Sequence, residues 1–379
     1  MLPQGRDRRH IAFAEKVMTL LDEGHFTATY KFAVLLGLLD LCRERSRSDG
    51  SAPTSVTTRQ LAEKVIEFYW AQTTPYPGSS EKGILRQLRS RPEARAAIIK
   101  DLLEFREEAL ADPSLPLGRV RVESPQDFKR LVKSVEWTLI RYPLPRLQEF
   151  GGVKDRFIYE ITWDEDVRKG EVNAYHRGAQ SSFDNTIRFK DEASEHLVLL
   201  SPLLRPLIEQ KWTDMVSRLN GLPENALREF MFGANRISLE PVRTGLVEIE
   251  GGRCFYCAER FGGSGKRSPV VDHFIPWARH PTNAIENLVP AHDRCNHRKR
   301  DFLAAAQHVE KWTSRIATHS STGNQLRTLA RERSWETDPG RTLSVARAIY
   351  LRLQPEVPLW FLDRQFVAAD RRALQRVLG

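Results

Sequence analysis

The sequence predicts an α+β protein, with a helix-rich N-terminal domain, a small domain around a cysteine- and histidine-rich segment, and a helical C-terminal tail. Three observations support this fold class. Apolar residues at helical spacing dominate residues 1–139. Runs of β-branched and aromatic residues are confined to short segments in the middle of the chain. Three of the four cysteines cluster between positions 254 and 295, close to histidines.

The first helices are predicted from apolar spacing and from signals at their ends. Residues 11–24 have helical spacing up to Gly24, whereas residues 27–42 are apolar on most faces, which indicates a buried helix. Thr57 and Gln60 form the pattern of a capping box, so a helix is expected to begin there. Further helices are expected over residues 84–110, 126–139 and 196–220.

Two segments in the middle of the chain are predicted to be strands. Residues 155–163 and 185–190 carry the β-branched and aromatic residues that suit a pleated surface. In the helical segment that follows, Pro202 and Pro206 are expected to break or start the helix, because proline lacks the amide hydrogen. Helical patterns return over residues 239–252, 302–315, 342–353 and 365–378.

Composition and charge narrow the function classes. The chain has 379 residues, a net charge of +9 and four cysteines. A basic protein favours polyanionic partners, nucleic acid first, although on charge alone a basic protein without such a partner is equally expected.

Four cysteines in a chain of this length do not form a disulfide framework, and they suit a metal in a reducing compartment. The N-terminus has no signal-peptide pattern, and no apolar run approaches the roughly 20 residues of a membrane span. The sequence therefore predicts a cytoplasmic protein.

Two pairs of metal-ligand residue types share one internal spacing. Cys254 and Cys257 form a CxxC pair, and His292 and Cys295 form an HxxC pair. Thiolates and imidazole nitrogens are the ligands that zinc prefers, so a structural zinc is expected here. A single CxxC can also be two small buried residues, but the second pair favours the metal. His292 is the weakest of the four ligands, and without it the site would have three protein ligands, which would imply either another donor or loss of the metal.

A second group of polar residues lies between these pairs. Val270 and Val271 predict a strand that delivers Asp272 and His273 side by side, with their side chains on opposite faces. Taken alone, an Asp-His pair is more often surface polarity than a site. A helix is expected after residue 293, with Asn296 and Lys299 on one face.

The ordered elements CxxC, DHxxP, NLVP and CNxxK over residues 253–301 resemble the HNH endonuclease family in its zinc-stapled form. The resemblance implies a ββα-metal fold, in which a β-hairpin carries a carboxylate and a histidine and a helix carries the last ligand. Asp272 and Asn296 would then bind one divalent cation, and His273 would be the general base. Asn287 would brace the loop that orients His273.

The sequence departs from many family members at Asn296, where they have histidine. An amide oxygen is a harder ligand than imidazole, which favours Mg²⁺ or Mn²⁺ at the catalytic position. His297 is displaced by one position from the motif and is expected on the helix surface. Basic residues near the proposed centre are expected to contact phosphate, the alternative being a solvated charged helix face. These are Arg279, Arg298, Lys299 and Arg300.

The resemblance predicts a metal-dependent endonuclease acting on nucleic acid, DNA more than RNA, in a setting such as restriction or antiviral defence. The predicted domains are residues 1–235 for target or partner selection, 236–315 for the nuclease, and 316–379 for a helical extension. The main alternative is a zinc-stapled DNA-binding module without catalysis, but binding would not require Asp272, His273 and Asn296. An RNA-directed, toxin-like nuclease is a third interpretation.

Overall fold

The computed structural model of the protein divides into two compact units. It describes residues 5–23, 27–78, 83–90, 94–110, 112–150, 152–233, 237–263 and 265–379. The N-terminal unit comprises residues 1–42, 52–120 and 124–234, and the C-terminal unit comprises residues 43–51, 121–123 and 235–379. Among the described helices, none has the length and apolar character needed to cross a bilayer.

The N-terminal unit is built mainly of helices. Its helices are α1 Gly5–Glu23, α2 Tyr30–Glu44, α3 Thr58–Trp70, α4 Ala97–Ala109, α5 Leu117–Glu123, α6 Pro125–Arg141, α7 Pro143–Arg146, α8 Lys169–His176, α9 Ala193–Asn220 and α10 Glu224–Arg228. Its short strands are β1 Ser55–Thr57, β2 Glu149–Phe150, β3 Val153–Lys154, β4 Tyr159–Glu160 and β5 Thr186–Phe189. The strands pair in the orders β1-β5-β4 and β2-β3. The predicted helix-rich α+β character is confirmed.

The predicted capping box begins helix α3. The Thr57 side chain accepts a hydrogen bond from the Gln60 backbone N–H at 3.2 Å, and the Gln60 side chain accepts one from the Thr57 N–H at 2.9 Å. Two amide hydrogens that a helix start leaves without partners are thereby bonded. The following turns bury apolar side chains such as Leu61 and Val65.

Two helix predictions in this unit are wrong in detail. The helix expected from residue 84 begins only at Ala97, because the described residues before it pair with the segment at Thr27: the Arg89 N–H donates to the Thr27 carbonyl at 2.7 Å. Helix α9 runs unbroken through Pro202 and Pro206. Each proline removes one backbone hydrogen bond, and the buried side chains along the helix keep it continuous.

The C-terminal unit contains a β-hairpin followed by a short helix. Its elements are α11 Glu240–Ile249, β6 Pro269–His273, β7 Leu288–His292, α12 Asp293–Lys299, α13 Ala306–Ile316, α14 Ser321–Glu332, α15 Pro339–Tyr350, β8 Pro358–Leu362, β9 Gln365–Ala368 and α16 Arg371–Leu378. Strands β6 and β7 pair antiparallel, with His273 opposite Leu288. The order β6-β7-α12 is the arrangement that the resemblance implies.

A buried aromatic core supports this hairpin from one side. Trp312 of helix α13 is completely buried and stacks on Phe274, with ring centroids 4.7 Å apart. Its indole N–H donates to the carbonyl of Glu286 at 2.8 Å. The helix therefore holds both the end of β6 and the loop that enters β7.

The C-terminal tail differs from its predicted helical pattern. Residues 365–368 form strand β9, which pairs antiparallel with β8, and helix begins only at Arg371. The apolar residues Phe366 and Val367 are equally compatible with a strand, and pairing with β8 decides between the two. The predicted helical tail is confirmed over Arg371–Leu378.

The capping box makes a test of the N-terminal unit possible. Thr57→Ala is expected to lower the free energy of unfolding by about 1 kcal/mol, because an N-cap oxygen is lost. Thr57→Ser keeps the hydroxyl and serves as the matched control. Urea unfolding followed by circular dichroism measures both variants. Equal stability of the two variants would contradict the importance of the cap.

Candidate metal centre and active site

Four side chains of the C-terminal unit converge on one point. We call them the Cys3His cluster: Cys254, Cys257, His292 and Cys295. Their ligand atoms all lie within 4.8 Å of one another, and Cys257 Sγ is 3.2 Å from His292 Nδ1. Three thiol sulfurs and one imidazole nitrogen form the donor set of a closed tetrahedral site. The cluster is positioned to bind a structural metal.

Three separate backbone elements bring the cluster together. Cys254 and Cys257 lie on a tight turn, in which the Ala258 N–H donates to the Cys254 carbonyl at 3.0 Å. Ala258 has a φ of 58°, a left-handed conformation that lets the chain reverse directly after the second thiol. His292 ends strand β7 and occupies the N-cap position of helix α12, and Cys295 lies on the first turn of that helix.

The structure orients the ring of His292 toward the thiols. Its Nε2 lies 3.1 Å from the carbonyl oxygen of Arg260, which can only accept, so the proton is on Nε2. Nδ1 is then the nitrogen with a lone pair, and it faces Cys257. A backbone carbonyl bonded to the second ring nitrogen is a common support for a metal-binding histidine. His292, the ligand with the weakest support in the sequence, therefore has a well-defined ring orientation.

Hydrogen bonds within the cluster separate the acidities of its thiols. A bond from the Cys295 thiol, helped by backbone N–H groups that include that of His292, lowers the pKa of Cys254 to about 5. The same bond, together with burial, raises the pKa of Cys295. This bond favours the thiolate form of Cys254 and the protonated form of Cys295. Metal binding would release that proton, because coordinated thiols lose theirs.

Asn287 fixes the chain where it leaves strand β6. Its amide oxygen accepts from the Ile275 N–H at 2.8 Å, and its amide nitrogen donates to the Ile275 carbonyl at 3.1 Å. Its own carbonyl accepts from the Phe274 N–H at 2.7 Å. Asn287 is completely buried, so these bonds are not exchanged with water. These bonds fix the backbone of Phe274 and Ile275, the two residues that follow His273.

Asp272 lies in a buried polar environment beside the cluster. Its side chain is 9% exposed, and Oδ2 is 3.0 Å from Lys299 Nζ and 2.5 Å from the Tyr256 hydroxyl. Burial and the Asp272 carboxylate raise the pKa of Tyr256 well above its ordinary value, so the phenol donates. Both contacts use Oδ2. Oδ1 is therefore the oxygen suited to a cation.

His273 is half-buried and points away from the contacts of Asp272, as adjacent strand residues do. Its Nε2 lies 3.1 Å from the side-chain oxygen of Asn283, and its ring packs edge-on against Trp277 at 5.1 Å. An amide oxygen accepts, so Nε2 carries the proton and Nδ1 is the basic nitrogen. The ring is thus presented in one tautomer.

Helix α12 positions Asn296 and Lys299 one turn apart on the same face. Lys299 does not lie where a phosphate contact requires it. Its side chain is completely buried, and Nζ donates to the His273 carbonyl at 2.9 Å besides pairing with Asp272. A buried ammonium needs such partners. The expectation that Lys299 contacts phosphate is replaced by an internal role, in which it ties the helix to β6.

The other predicted basic residues are exposed. Arg279 and Arg300 lie at the surface, as does His297. The Arg298 side chain is 40% exposed and forms an ion pair with Asp363 at 3.3 Å. An exposed pair of this kind contributes little free energy, so a phosphate could displace it.

Comparison with known families agrees with this geometry. An HNH endonuclease family model matches residues 254–302, which hold the Cys3His cluster, the β6-β7 hairpin and helix α12. The chain belongs to the family described as a domain of unknown function (DUF8808), whose model matches residues 10–231. The C-terminal unit thus contains an HNH domain, as its sequence resemblance predicts, and its Cys3His cluster is positioned to bind a metal, which is consistent with the zinc-stapled form of that domain. Neither the curated proteins nor the solved structures gave a match.

Two residues of the site were missed by sequence reasoning. Tyr256 stands between the cysteines of the CxxC pair, where its only apparent role is spacing. Asn283 lies in a loop between the motif elements. A polar side chain inside a short metal-binding turn is the signal that could have identified Tyr256, whereas the sequence carries no comparable signal for Asn283.

The Cys3His cluster predicts one zinc per chain when the protein is purified without chelator. Cys254→Ser should lose the metal and unfold at a lower temperature, because zinc binding contributes folding free energy to so small a unit. Cys42→Ala, which changes a buried cysteine outside the cluster, should keep the metal. Elemental analysis and thermal unfolding measure both effects. Zinc well below one equivalent, with normal folding of Cys254→Ser, would refute the assignment.

Proposed function

We propose that the chain is a metal-dependent endonuclease that hydrolyses phosphodiester bonds, with DNA favoured over RNA. The observation that carries this proposal is the position of His273. A basic imidazole nitrogen, held by Asn283 and by the Asn287-braced chain, lies next in sequence to a buried carboxylate with one uncommitted oxygen. General-base chemistry beside a cation site requires these two groups together.

Each residue has a distinct role in this proposal. Asp272 and Asn296 would hold one Mg²⁺ or Mn²⁺, because both offer hard oxygen atoms. When bound, the cation supplies positive charge near the scissile phosphate and the departing oxygen. His273 Nδ1 takes the proton from the attacking water. The two protein ligands leave positions for water and phosphate.

The basic surface and the domain division complete the proposal. Arg279, Arg298 and Arg300 are exposed and would contact backbone phosphates without reading sequence. Residues 1–235 would select the target or partner, 236–315 would cleave, and 316–379 would form the extension. A role in restriction or defence against foreign DNA is supported by resemblance alone.

One observation favours a second candidate, a zinc-stapled DNA-binding module without catalysis. The Lys299 ammonium lies on Asp272 and neutralises the carboxylate that the cation would need. The contact involves only Oδ2, however, and a module that merely binds DNA has no use for an oriented imidazole. Cleavage by the parent protein separates the two candidates.

His273→Ala is expected to lower the cleavage rate by at least about 10²-fold while leaving zinc content and unfolding temperature unchanged, because the general base is lost. His297→Ala, which removes an exposed histidine from α12, is the matched control and should cleave normally. Cleavage of plasmid DNA and of RNA measures both. Near-parental cleavage by His273→Ala with any metal would remove the mechanism.

Asp272→Ala and Asn296→Ala should also lower the cleavage rate, but for a different reason: each variant binds the divalent cation more weakly. Raising the Mn²⁺ concentration is therefore expected to restore part of their activity but none of that lost in His273→Ala. A metal titration of the three variants distinguishes ligand from base. Equal rescue of all three variants would contradict the assigned roles.

Residues 1–235 alone are expected to cleave neither DNA nor RNA. Their sequence has no Gly-rich phosphate loop, paired-carboxylate motif or nucleophile elbow. The C-terminal unit includes residues 43–51 and 121–123, which a fragment starting at residue 236 would lack. The full chain with His273→Ala is therefore the sample to compare with residues 1–235. Metal-dependent cutting by residues 1–235 would overturn the division of roles.

A further inference from the structure

A hydrogen-bonded path leads from His273 to a segment outside the matched HNH region. His273 Nε2 contacts the Asn283 side-chain oxygen at 3.1 Å, and the Asn283 carbonyl accepts from the Trp335 indole N–H at 2.7 Å. Asn283 and Trp335 are 52 residues apart in the chain. The HNH family model ends at residue 302, so Trp335 lies beyond it.

Further bonds fasten the same loop to the residues around Trp335. The Ile285 N–H donates to the Glu336 carbonyl at 2.9 Å. The buried carboxylate of Glu286 accepts from the Asp338 N–H at 3.1 Å and from the Thr337 hydroxyl at 2.5 Å. We call residues 334–338 the anchor segment. Together with the Trp335 indole, it bonds Asn283, Ile285 and Glu286, which are three of the four residues that precede Asn287.

Trp335 is itself well fixed. Its side chain is 6% exposed, and its backbone N–H donates to the Ala330 carbonyl at the end of helix α14 at 2.7 Å. The preceding Ser334 has a φ of 47°, which turns the chain so that the indole faces the loop. The donor therefore comes from a rigid part of the C-terminal unit.

We propose that Asn283 and Trp335 are positioning residues for His273, and that the anchor segment is therefore part of the active site. The inference rests on the proposed nuclease function. Asn283 fixes the ring rotation and keeps the proton on Nε2, so that Nδ1 is the ring nitrogen that can accept a proton. Trp335 fixes the backbone that carries Asn283. A base oriented by a third group is the general arrangement for activated nucleophiles.

The positioning role depends on the Asn283 side-chain oxygen, which can only accept a hydrogen bond. An acceptor at 3.1 Å stabilises the Nε2–H tautomer, whereas without it the proton can move to Nδ1 and the ring can rotate. When the proton is on Nδ1, that nitrogen has no lone pair with which to accept the proton of water. In the proposed function the exposed arginines contact the substrate, so the loss is expected in the chemical step and not in substrate binding.

Asn283→Leu, Asn283→Asp and Trp335→Phe in the full chain test the proposal. Asn283→Leu removes the acceptor at similar volume and should lower kcat by about 10²-fold, within the range that proton-transfer groups contribute, with KM unchanged. Asn283→Asp keeps an acceptor oxygen and should retain most of kcat. Trp335→Phe keeps an aromatic ring but loses the indole N–H donor, and should lower kcat less than Asn283→Leu does. Asn324→Ala, an exposed position on α14, is the control and should cleave normally.

The tautomer of His273 provides a readout that does not depend on cleavage. In ¹⁵N NMR spectra of histidine-labelled protein, the parent should show Nε2–H, and Asn283→Leu should show a mixture with Nδ1–H. If kcat, KM and tautomer of Asn283→Leu all match the parent while His273→Ala is inactive, the positioning role is wrong. If the parent does not cleave but the tautomer shifts as expected, the nuclease function fails and the positioning of His273 stands.

Discussion

The Cys3His cluster is the constraint on which the rest of the site depends. The hairpin of β6 and β7 and the seven-residue helix α12 are too short to be stable alone, since isolated hairpins and short helices are marginal in water. The cluster joins the turn at Cys254, the end of β7 at His292 and the first turn of α12 at Cys295. With a metal bound, these three elements can keep one relative position, and the groups on them become a site.

The position of the Asp272 carboxylate follows from this constraint. The CxxC turn carries Tyr256, whose hydroxyl binds Asp272, and α12 carries Lys299, whose ammonium binds Asp272 and the His273 carbonyl. The cluster thus orients the carboxylate from two sides. His273 is supported differently, from the loop before Asn287. The carboxylate and the imidazole, which are neighbours in sequence, are therefore held by separate parts of the C-terminal unit.

The sequence predicted those features that depend on local chemistry or on ligand spacing. The capping box at Thr57, the helix after residue 293 and the grouping of the two metal-ligand pairs all follow from residue type and spacing. Features that depend on long-range pairing were not predictable. Lys299 lies in a basic run typical of a surface, and only its contact with Asp272 shows that it is buried. Asn283 and Trp335 meet across 52 residues, and residues 365–368 become a strand only because β8 is beside them.

The central claim is that an HNH domain stabilised by its Cys3His cluster performs metal-dependent phosphodiester hydrolysis. The most direct test incubates the purified full chain with end-labelled DNA and RNA of matched sequence, in Mg²⁺, in Mn²⁺ and in EDTA. The account predicts cutting of DNA with either metal, weaker or no cutting of RNA, and none in EDTA. Zinc-loaded, folded protein that binds DNA yet cuts neither polymer with any metal would contradict it.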